Sequence, residues 1–412
     1  MISDPRIGEP LAVAGGRPVR TAPFPSRTPY DSSELELVRQ ALASQSLFML
    51  DGPEVGNFER TFADLYGMRH AAASTSGTSA IHLAVGAVNP NPGDEIITSP
   101  VTDLGTVIPI LMQNAIPIFA EVRPDTFNMD PADVERKITD RTRAIIVVHL
   151  FGNAADMDAM LDIARRYNLV LIEDCSQAHV TRYKGRLLGT IGDIGCFSLQ
   201  GSKHMTTGDG GVTITNDDAR AERMLLFRDK GFSRAPWGPR KYEFLAPNYR
   251  PTKLMAAVGM AQIGKVRNVV ERLISLCREL SRLLEGIDGV LPAAVTEGLE
   301  HSAWAYPLRV HSGDAARFGS LLRDEGVPNM PGYIGLPIFM CAECCAGKAT
   351  FGDSGFPFDS PYNSRKLEYN ASMCSITAEA LRSLVVLPIN ENYADADLRD
   401  IAVAVAKAAQ SG

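Results

Sequence analysis

A lysine in a glycine-flanked loop and an acid at the end of a buried strand are the two residues of this chain best placed to do chemistry. The lysine is Lys203, in the run Phe197-Ser198-Leu199-Gln200-Gly201-Ser202-Lys203, and Gly208-Asp209-Gly210-Gly211 follows it. The acid is Asp174, which closes Leu169-Val170-Leu171-Ile172-Glu173-Asp174. A lysine amine condenses with an aldehyde, and a carboxylate beside a pyridine nitrogen keeps that nitrogen protonated. Together these are what pyridoxal 5'-phosphate (PLP) asks of a protein. Taken singly, each residue has a plain structural alternative: most lysines are solvated, and an acid after a strand commonly caps a turn. Two features favour chemistry. A carboxylate at the end of a buried run is costly without a partner. The glycines next to the strand-like Val212-Thr213-Ile214-Thr215 give the lysine a shaped loop.

A third feature suits an anion. Ser74-Thr75-Ser76-Gly77-Thr78-Ser79-Ala80 precedes the apolar run Ile81-His82-Leu83-Ala84-Val85. Small residues let the backbone approach a phosphate, and a helix N-terminus offers free N–H groups and a positive dipole end. The alternative is an ordinary Ser/Thr N-cap ahead of a core helix.

These residues need a scaffold. Between about 70 and 265, short β-type runs alternate with helical stretches. Strands are predicted at 95–98, 116–120, 144–148 and 169–172, and helices at 79–88, 131–137 and 156–167. The alternation predicts an α/β fold: a large domain with a mainly parallel mixed sheet flanked by helices, and functional residues just past the strand C-termini. His149, Asp174 and Ser198 fall at such ends. A smaller α+β C-terminal domain is predicted beyond it, with strands at 305–310 and 384–387 and helices at 315–325 and 394–409. The boundaries are 1–30 for an extended N-terminal segment lying over a surface or a partner subunit, 31–265 for the large domain and 266–412 for the smaller one. Residues 32–43 read as a helix, 252–284 as one or two long helices, and 347–369 as an irregular loop.

Taken together, the motifs are similar to those of the DegT/DnrJ/EryC1/StrS aminotransferase family, within fold-type I PLP enzymes. The resemblance runs over roughly residues 30 to 410. It rests on Ser76-Gly77-Thr78, Asp94-Glu95-Ile96-Ile97, His149-Leu150-Phe151-Gly152 with Asp156-Met157-Asp158, and Ile172-Glu173-Asp174 with Gln177-Ala178-His179. It continues through Gly192-Asp193, Phe197-Ser198, Lys203, Thr207 to Gly211 and Asn248-Tyr249-Arg250. The resemblance implies that Lys203 carries the PLP and then moves protons, that Asp174 pairs with the pyridine nitrogen, and that Gln177 bonds the ring near its phenolic oxygen. It further implies that Gly77, Thr78 and Ser198 bind the phosphate and that Asn248 reaches the phosphate of a neighbouring subunit in a homodimer. The implied activity moves an amino group from glutamate or glutamine to a keto group of a sugar, nucleotide-linked in most such cases, or of a cyclitol. A lysine rather than a histidine at position 203 favours transamination over sugar dehydration. Two alternatives stay open: a different PLP reaction, such as elimination or cyclisation, and a non-catalytic PLP-binding regulator.

Asp103 departs from the family pattern. It occupies the slot, in Ser99-Pro100-Val101-Thr102-Asp103-Leu104-Gly105-Thr106, where relatives place an aromatic residue that stacks on the cofactor. A carboxylate does not stack. It would touch the cofactor region differently, or meet a cationic substrate group. Tyr333 and the 347–369 loop are candidates to line the acceptor pocket. Cys341, Cys344 and Cys345 lie close together, with Cys374 a fourth thiol, but there is no second Cys-x-x-Cys pair and no nearby histidine. They read as plain thiols, and no metal site is predicted.

Composition narrows the rest. With 45% apolar and 22% charged residues the chain is an ordinary globular protein, and its net charge of −7, with no basic block, argues against nucleic acid as a partner. Apolar runs are too short to cross a bilayer. Met1 to Arg6 lacks the apolar segment of a signal peptide, and seven unevenly spaced cysteines suggest free thiols. A cytoplasmic location is expected.

Overall fold

The computed structural model describes residues 4–234, 238–363 and 365–411. Met1–Ser3 of the predicted N-terminal segment, residues 235–237, Ser364 of the predicted loop and Gly412 lie outside these.

The chain is α/β, built on a sheet of seven strands. Along the sequence these are β1 (His70–Ser74), β2 (Glu95–Thr98), β3 (Ile116–Phe119), β4 (Thr142–Val148), β5 (Val170–Asp174), β6 (Ile194–Ser198) and β7 (Gly211–Thr215), in the spatial order β1-β7-β6-β5-β4-β2-β3. All neighbours pair in parallel except the two pairs made by β7, which runs against β1 and β6. Both faces are covered, so the central strands β4 and β5 carry apolar runs that feed both sides rather than alternating. In β4, Ile145 and Val147 enter one core while Ala144 and Ile146 enter the other; in β5, Leu171 and Ile172 divide the same way. Helices α1 (Ser32–Ala43), α2 (Glu54–Tyr66), α3 (Gly77–Val88), α4 (Leu104–Met112), α5 (Pro131–Lys137), α6 (Met157–Tyr167) and α7 (Asp218–Arg228) accompany this sheet. Of these, α3 and α7 pack on one face through Ile81, Leu83, Met224 and Phe227, and α2 and α6 on the other through Phe58, Phe62, Met157 and Met160.

The region predicted as one or two helices is a single helix, α8 (Lys253–Leu284), capped by Thr252. The predicted boundary at 265/266 falls inside it. Its first half joins the core of the large sheet through Met255 and Val266. Its second half joins a separate core through Leu273, Leu276 and Leu280. That second core underlies a four-stranded antiparallel sheet of β8 (Val290–Pro292), β9 (Tyr306–Val310), β10 (Met330–Pro331) and β11 (Leu384–Leu387), ordered β8-β9-β11-β10. Helices α9 (Ala315–Asp324), α10 (Ser375–Arg382) and α11 (Asp395–Ala409) complete this part.

The N-terminal segment packs on its own chain. Arg20 pairs with Asp397 at 2.7 Å and Asp400 at 3.1 Å. Glu325, fully buried, accepts from the N–H groups of Ala12 and Val19 and pairs with buried Lys407 at 2.8 Å. Arg27 pairs with Glu391 and also donates to the Lys203 carbonyl at 2.6 Å. None of the described residues of the 347–369 loop lines the site described below. The loop seals the β2–β3 side of the sheet instead: Tyr369 donates to the Pro117 carbonyl, and Arg365 pairs with Glu95. No helix is long and apolar enough to cross a membrane among the described residues.

Candidate active site

A cleft of about 390 Å³ opens at the C-terminal ends of the parallel strands, and its lining includes Gly77, Thr78, Asp103, Asp174, Gln177, Ser198 and Lys203. Seven of the eight residues singled out from the sequence therefore meet in one place. The eighth, Asn248, is exposed and lies outside the cleft of its own chain; its backbone bridges Asp229.

Asp174 is the last residue of β5, and it is buried. Thr106 Oγ1 donates to its Oδ2 at 2.9 Å, and the Ser176 N–H donates to Oδ1 at 3.0 Å. Since the Thr106 proton is committed to the carboxylate, Thr102, 2.7 Å from Thr106 Oγ1, donates to Thr106. Two donors thus hold the carboxylate in one orientation. Nothing in the local sequence marked Thr106: it sits on α4 and reaches Asp174 only through the sheet packing.

The phosphate-type turn is built as a close approach. Ser76 caps α3, exchanging hydrogen bonds with Ser79 in a capping box. A Cβ on Gly77 would lie 2.7 Å from Ser198 Cβ and 2.9 Å from Ser198 Oγ, so only glycine leaves the α3 N-terminus open beside the end of β6. His179 Nε2, 2.9 Å from the Ser198 carbonyl, donates to it and fixes the strand end from beneath.

Lys203 is half-buried at the cleft wall. Desolvation lowers its amine below the ordinary lysine range, opposed by the carboxylates of Asp174 and Asp103. Its Nζ stands 4.5 Å from the centroid of the Trp304 ring. Trp304 in turn donates its indole N–H to the carbonyl of Ser202, at 2.8 Å. Trp304 lies parallel to Phe151, which meets Tyr333 edge-on. The Tyr333 hydroxyl accepts from Gln177 Nε2 at 2.9 Å, while Gln177 Oε1 accepts from the Phe151 N–H at 2.7 Å. Burial pushes the Tyr333 phenol up to about 12. Trp304 and Tyr333 are the aromatic faces among the lining residues, and both come from the second half of the chain. Sequence reasoning singled out Tyr333 but missed Trp304.

Asp103 caps α4, its Oδ1 accepting from the Gly105 N–H at 2.8 Å. The structure places it in the cleft and exposed to it, with no aromatic side chain at that turn. The three nearby histidines do not line the cleft. His149 is buried against Glu173 at 3.1 Å, and the Glu173 carboxylate is satisfied by the N–H groups of Gly189, Ile191 and Gly192. Cys175 lies close to this pair, but three backbone donors and a histidine account for the acid without a metal ion. His204 faces away from Lys203 and donates to the Ser302 carbonyl, and burial lowers the pKa of both His179 and His204. The seven cysteines are free. Cys345 and Cys374 are buried in the core that also holds Tyr369 and Phe119, and Cys374 Sγ donates to the Phe119 carbonyl.

The model of the DegT/DnrJ/EryC1/StrS aminotransferase family matches residues 29–341. The chain belongs to that family. Among its relatives, a putative L-glutamine:3-amino-2,3-dideoxy-scyllo-inosose aminotransferase of Micromonospora echinospora is 37% identical over 69% of this chain and 68% of its own. The L-glutamine:2-deoxy-scyllo-inosose aminotransferase of Streptomyces paromomycinus is 34% identical over 78% of this chain and 81% of its own. The crystal structure of 3-amino-5-hydroxybenzoic acid (AHBA) synthase superposes with a TM-score of 0.83 at 27% identity, covering 95% of this chain and all of that one. The chain is thus an aminotransferase of fold type I, and its family implies PLP. The cleft fits that group: a lysine amine, a fixed carboxylate, and a helix N-terminus left open by a glycine that a Cβ would close.

Proposed function

We propose that this enzyme transfers an amino group from L-glutamine or L-glutamate to a keto group of a sugar or cyclitol, with PLP held in the cleft. The observation that supports it most is the convergence of Lys203, Asp174 and the Gly77–Ser198 opening at the strand ends. Bound there, PLP supplies an aldehyde that takes up amino groups and an electron-withdrawing ring. The protein's own residues would do the rest. Lys203 holds the cofactor and then, as a free amine of lowered basicity, moves a proton at the substrate carbon. Asp174, fixed by Thr106 and the Ser176 N–H, keeps the pyridine nitrogen protonated. Gly77, Thr78 and Ser198 receive the phosphate, and Gln177 meets the ring. Asn248, exposed and outside its own cleft, reaches the phosphate in a partner subunit of a cytoplasmic homodimer. Both acceptor classes are found among the relatives, which include an L-glutamine:2-deoxy-scyllo-inosose aminotransferase and GDP-perosamine synthases.

Loading the protein with PLP and adding L-glutamine or L-glutamate should convert the absorbance of the bound aldehyde form to that of the amine form. A ketocyclitol or keto sugar should reverse it. Lys203→Ala should do neither. A fully loaded enzyme that neither donor converts would overturn the proposal.

A further inference from the structure

The loop that carries the reactive amine has little pairing of its own. The backbone carbonyls of Gly201, Ser202, Lys203 and His204 receive no backbone N–H among the described residues. All four accept instead from side chains that come from outside the loop. Trp304 donates its indole N–H to the Ser202 oxygen. Arg27 takes the other three: Nη1 lies 2.6 Å from the Lys203 oxygen and 3.4 Å from that of Gly201, and Nη2 lies 3.4 Å from that of His204. The remaining nitrogen, Nε, stands 3.0 Å from both carboxylate oxygens of Glu391. Every nitrogen of the guanidinium is therefore engaged, with an acid on one side and the lysine loop on the other. The compact ammonium of a lysine offers no such planar fork.

The arginine is itself held from both directions along the chain. Asn390 Nδ2 donates to the Pro25 carbonyl and Asn392 Nδ2 to that of Ser26, both at 2.8 Å. Past the arginine, Gln262 donates to the Pro29 carbonyl at 2.7 Å while accepting from the Thr206 N–H at 3.2 Å, which ties the segment to the end of the same loop. Burial, Asp174 and Asp103 set the basicity of the Lys203 amine. Arg27 bears on its position: it does not line the cleft, and it reaches the site only through the backbone of the loop.

We propose that Arg27 is a positioning residue for Lys203. By fixing the carbonyl of the lysine and those on either side of it, the guanidinium aims the amine into the cleft, first to meet the cofactor aldehyde and later to move a proton. This rests on the function proposed above. A reacting group displaced by about 1 Å loses about a hundredfold in rate, so the one charged clamp on this loop has a long lever.

The test follows the condensation of Lys203 with PLP. Cofactor-free protein is mixed with PLP in a stopped-flow instrument, and the absorbance change reports the bond formed between Lys203 Nζ and the aldehyde carbon as water leaves. Arg27→Ala should slow that step by about tenfold to a hundredfold. The Arg27 side chain is 19% exposed, so millimolar guanidinium chloride has access to the vacated place and should restore part of the rate. Arg27→Lys, which keeps the charge beside Glu391 without the fork, should fall between parent and Arg27→Ala. The affinity for PLP in Lys203→Ala, measured by equilibrium dialysis, should not change when Arg27→Ala is added, whereas a general loosening of the cleft would lower it. A condensation rate in Arg27→Ala equal to the parent's, or a loss of PLP affinity in the double variant as large as the loss of rate, would overturn the proposal. A parent protein that does not condense with PLP would overturn the proposed function as well, and that failure is visible before any variant is made.

Discussion

The floor and the roof of the cleft are made differently. The floor, Gly77, Asp174, Ser198 and the lysine loop, comes from strand ends and turns of one sheet. Asp174 and Ser198 are held by the turn that follows β5, the Ser176 N–H donating to Asp174 and His179 to the Ser198 carbonyl. The roof, Trp304 and Tyr333, comes from irregular segments around β9 and β10, and each of its residues shares one side-chain hydrogen bond with the residues beneath: an indole N–H on Ser202 and a Gln177 amide on Tyr333. A floor of this kind sets whether chemistry occurs at all, and a roof of this kind grades how well a substrate is received.

The sharpest way to break that contrast is at Lys203. Lys203→Ala should lower single-turnover transamination by about 10²–10⁴-fold or more, and a loss under tenfold would remove the floor from the mechanism. Gly77→Ala comes next. The added Cβ would meet Ser198 at 2.7 Å, and relieving the overlap costs about 1–3 kcal/mol. PLP affinity measured by equilibrium dialysis should drop accordingly, with overall folding retained by circular dichroism. The support beneath the floor should show in acid. His179 is buried with a pKa lowered to about 4 against an ordinary 6.5. Its protonation therefore favours the unfolded chain, and stability present at neutral pH should fall as pH drops from 6.5 towards 4. His179→Gln should flatten that part of a pH–Tm curve; an unchanged slope would show that the histidine is not the group titrating.

Roof changes should be milder. Tyr333→Phe removes the acceptor for Gln177 and should cost about 0.5–1.5 kcal/mol in transition-state stabilisation, read as a few-fold fall in kcat/KM with PLP affinity kept. The smallest expected effect is on the pH profile. Asp103 raises the Lys203 amine against desolvation, so Asp103→Asn should lower that pKa further and shift the rising limb of activity to lower pH. A shift to higher pH would mean that Asp103 does not act on the lysine.

The same contrast explains what was legible in the sequence. Strand ends announce themselves locally: an apolar run closes in Glu173-Asp174, small residues precede α3, and glycines flank the lysine. The helices at 32–43 and 131–137 and the strand at 384–387 coincide with the predicted ranges because caps and apolar patterning are short-range signals. Trp304, Thr106 and Arg27 carry no such mark. Each acts on the site through a partner distant in sequence, Trp304 on Ser202, Thr106 on Asp174 and Arg27 on Lys203. The 347–369 loop, a candidate to line the acceptor pocket, turns elsewhere for the same reason: Tyr369 spends its ring and hydroxyl on Phe119 and Pro117. In the N-terminal segment, the expectation of an extended surface-lying chain did not say which surface, and the ion pairs to Asp397 and Asp400 supply the answer.

Arg27 grips the carbonyl behind the reactive lysine, and the segment that carries it is itself clamped by Glu325, Glu391 and α11. During synthesis this segment leaves the ribosome long before any of those partners exists. The carboxylate that pairs with Arg27, Glu391, and those that pair with Arg20, Asp397 and Asp400, are among the last residues made. A chain that stopped before Glu391 would hold the acid, the anion turn and the amine, yet lack the carboxylates at 391, 397 and 400 that fix the Arg27 segment against the lysine loop.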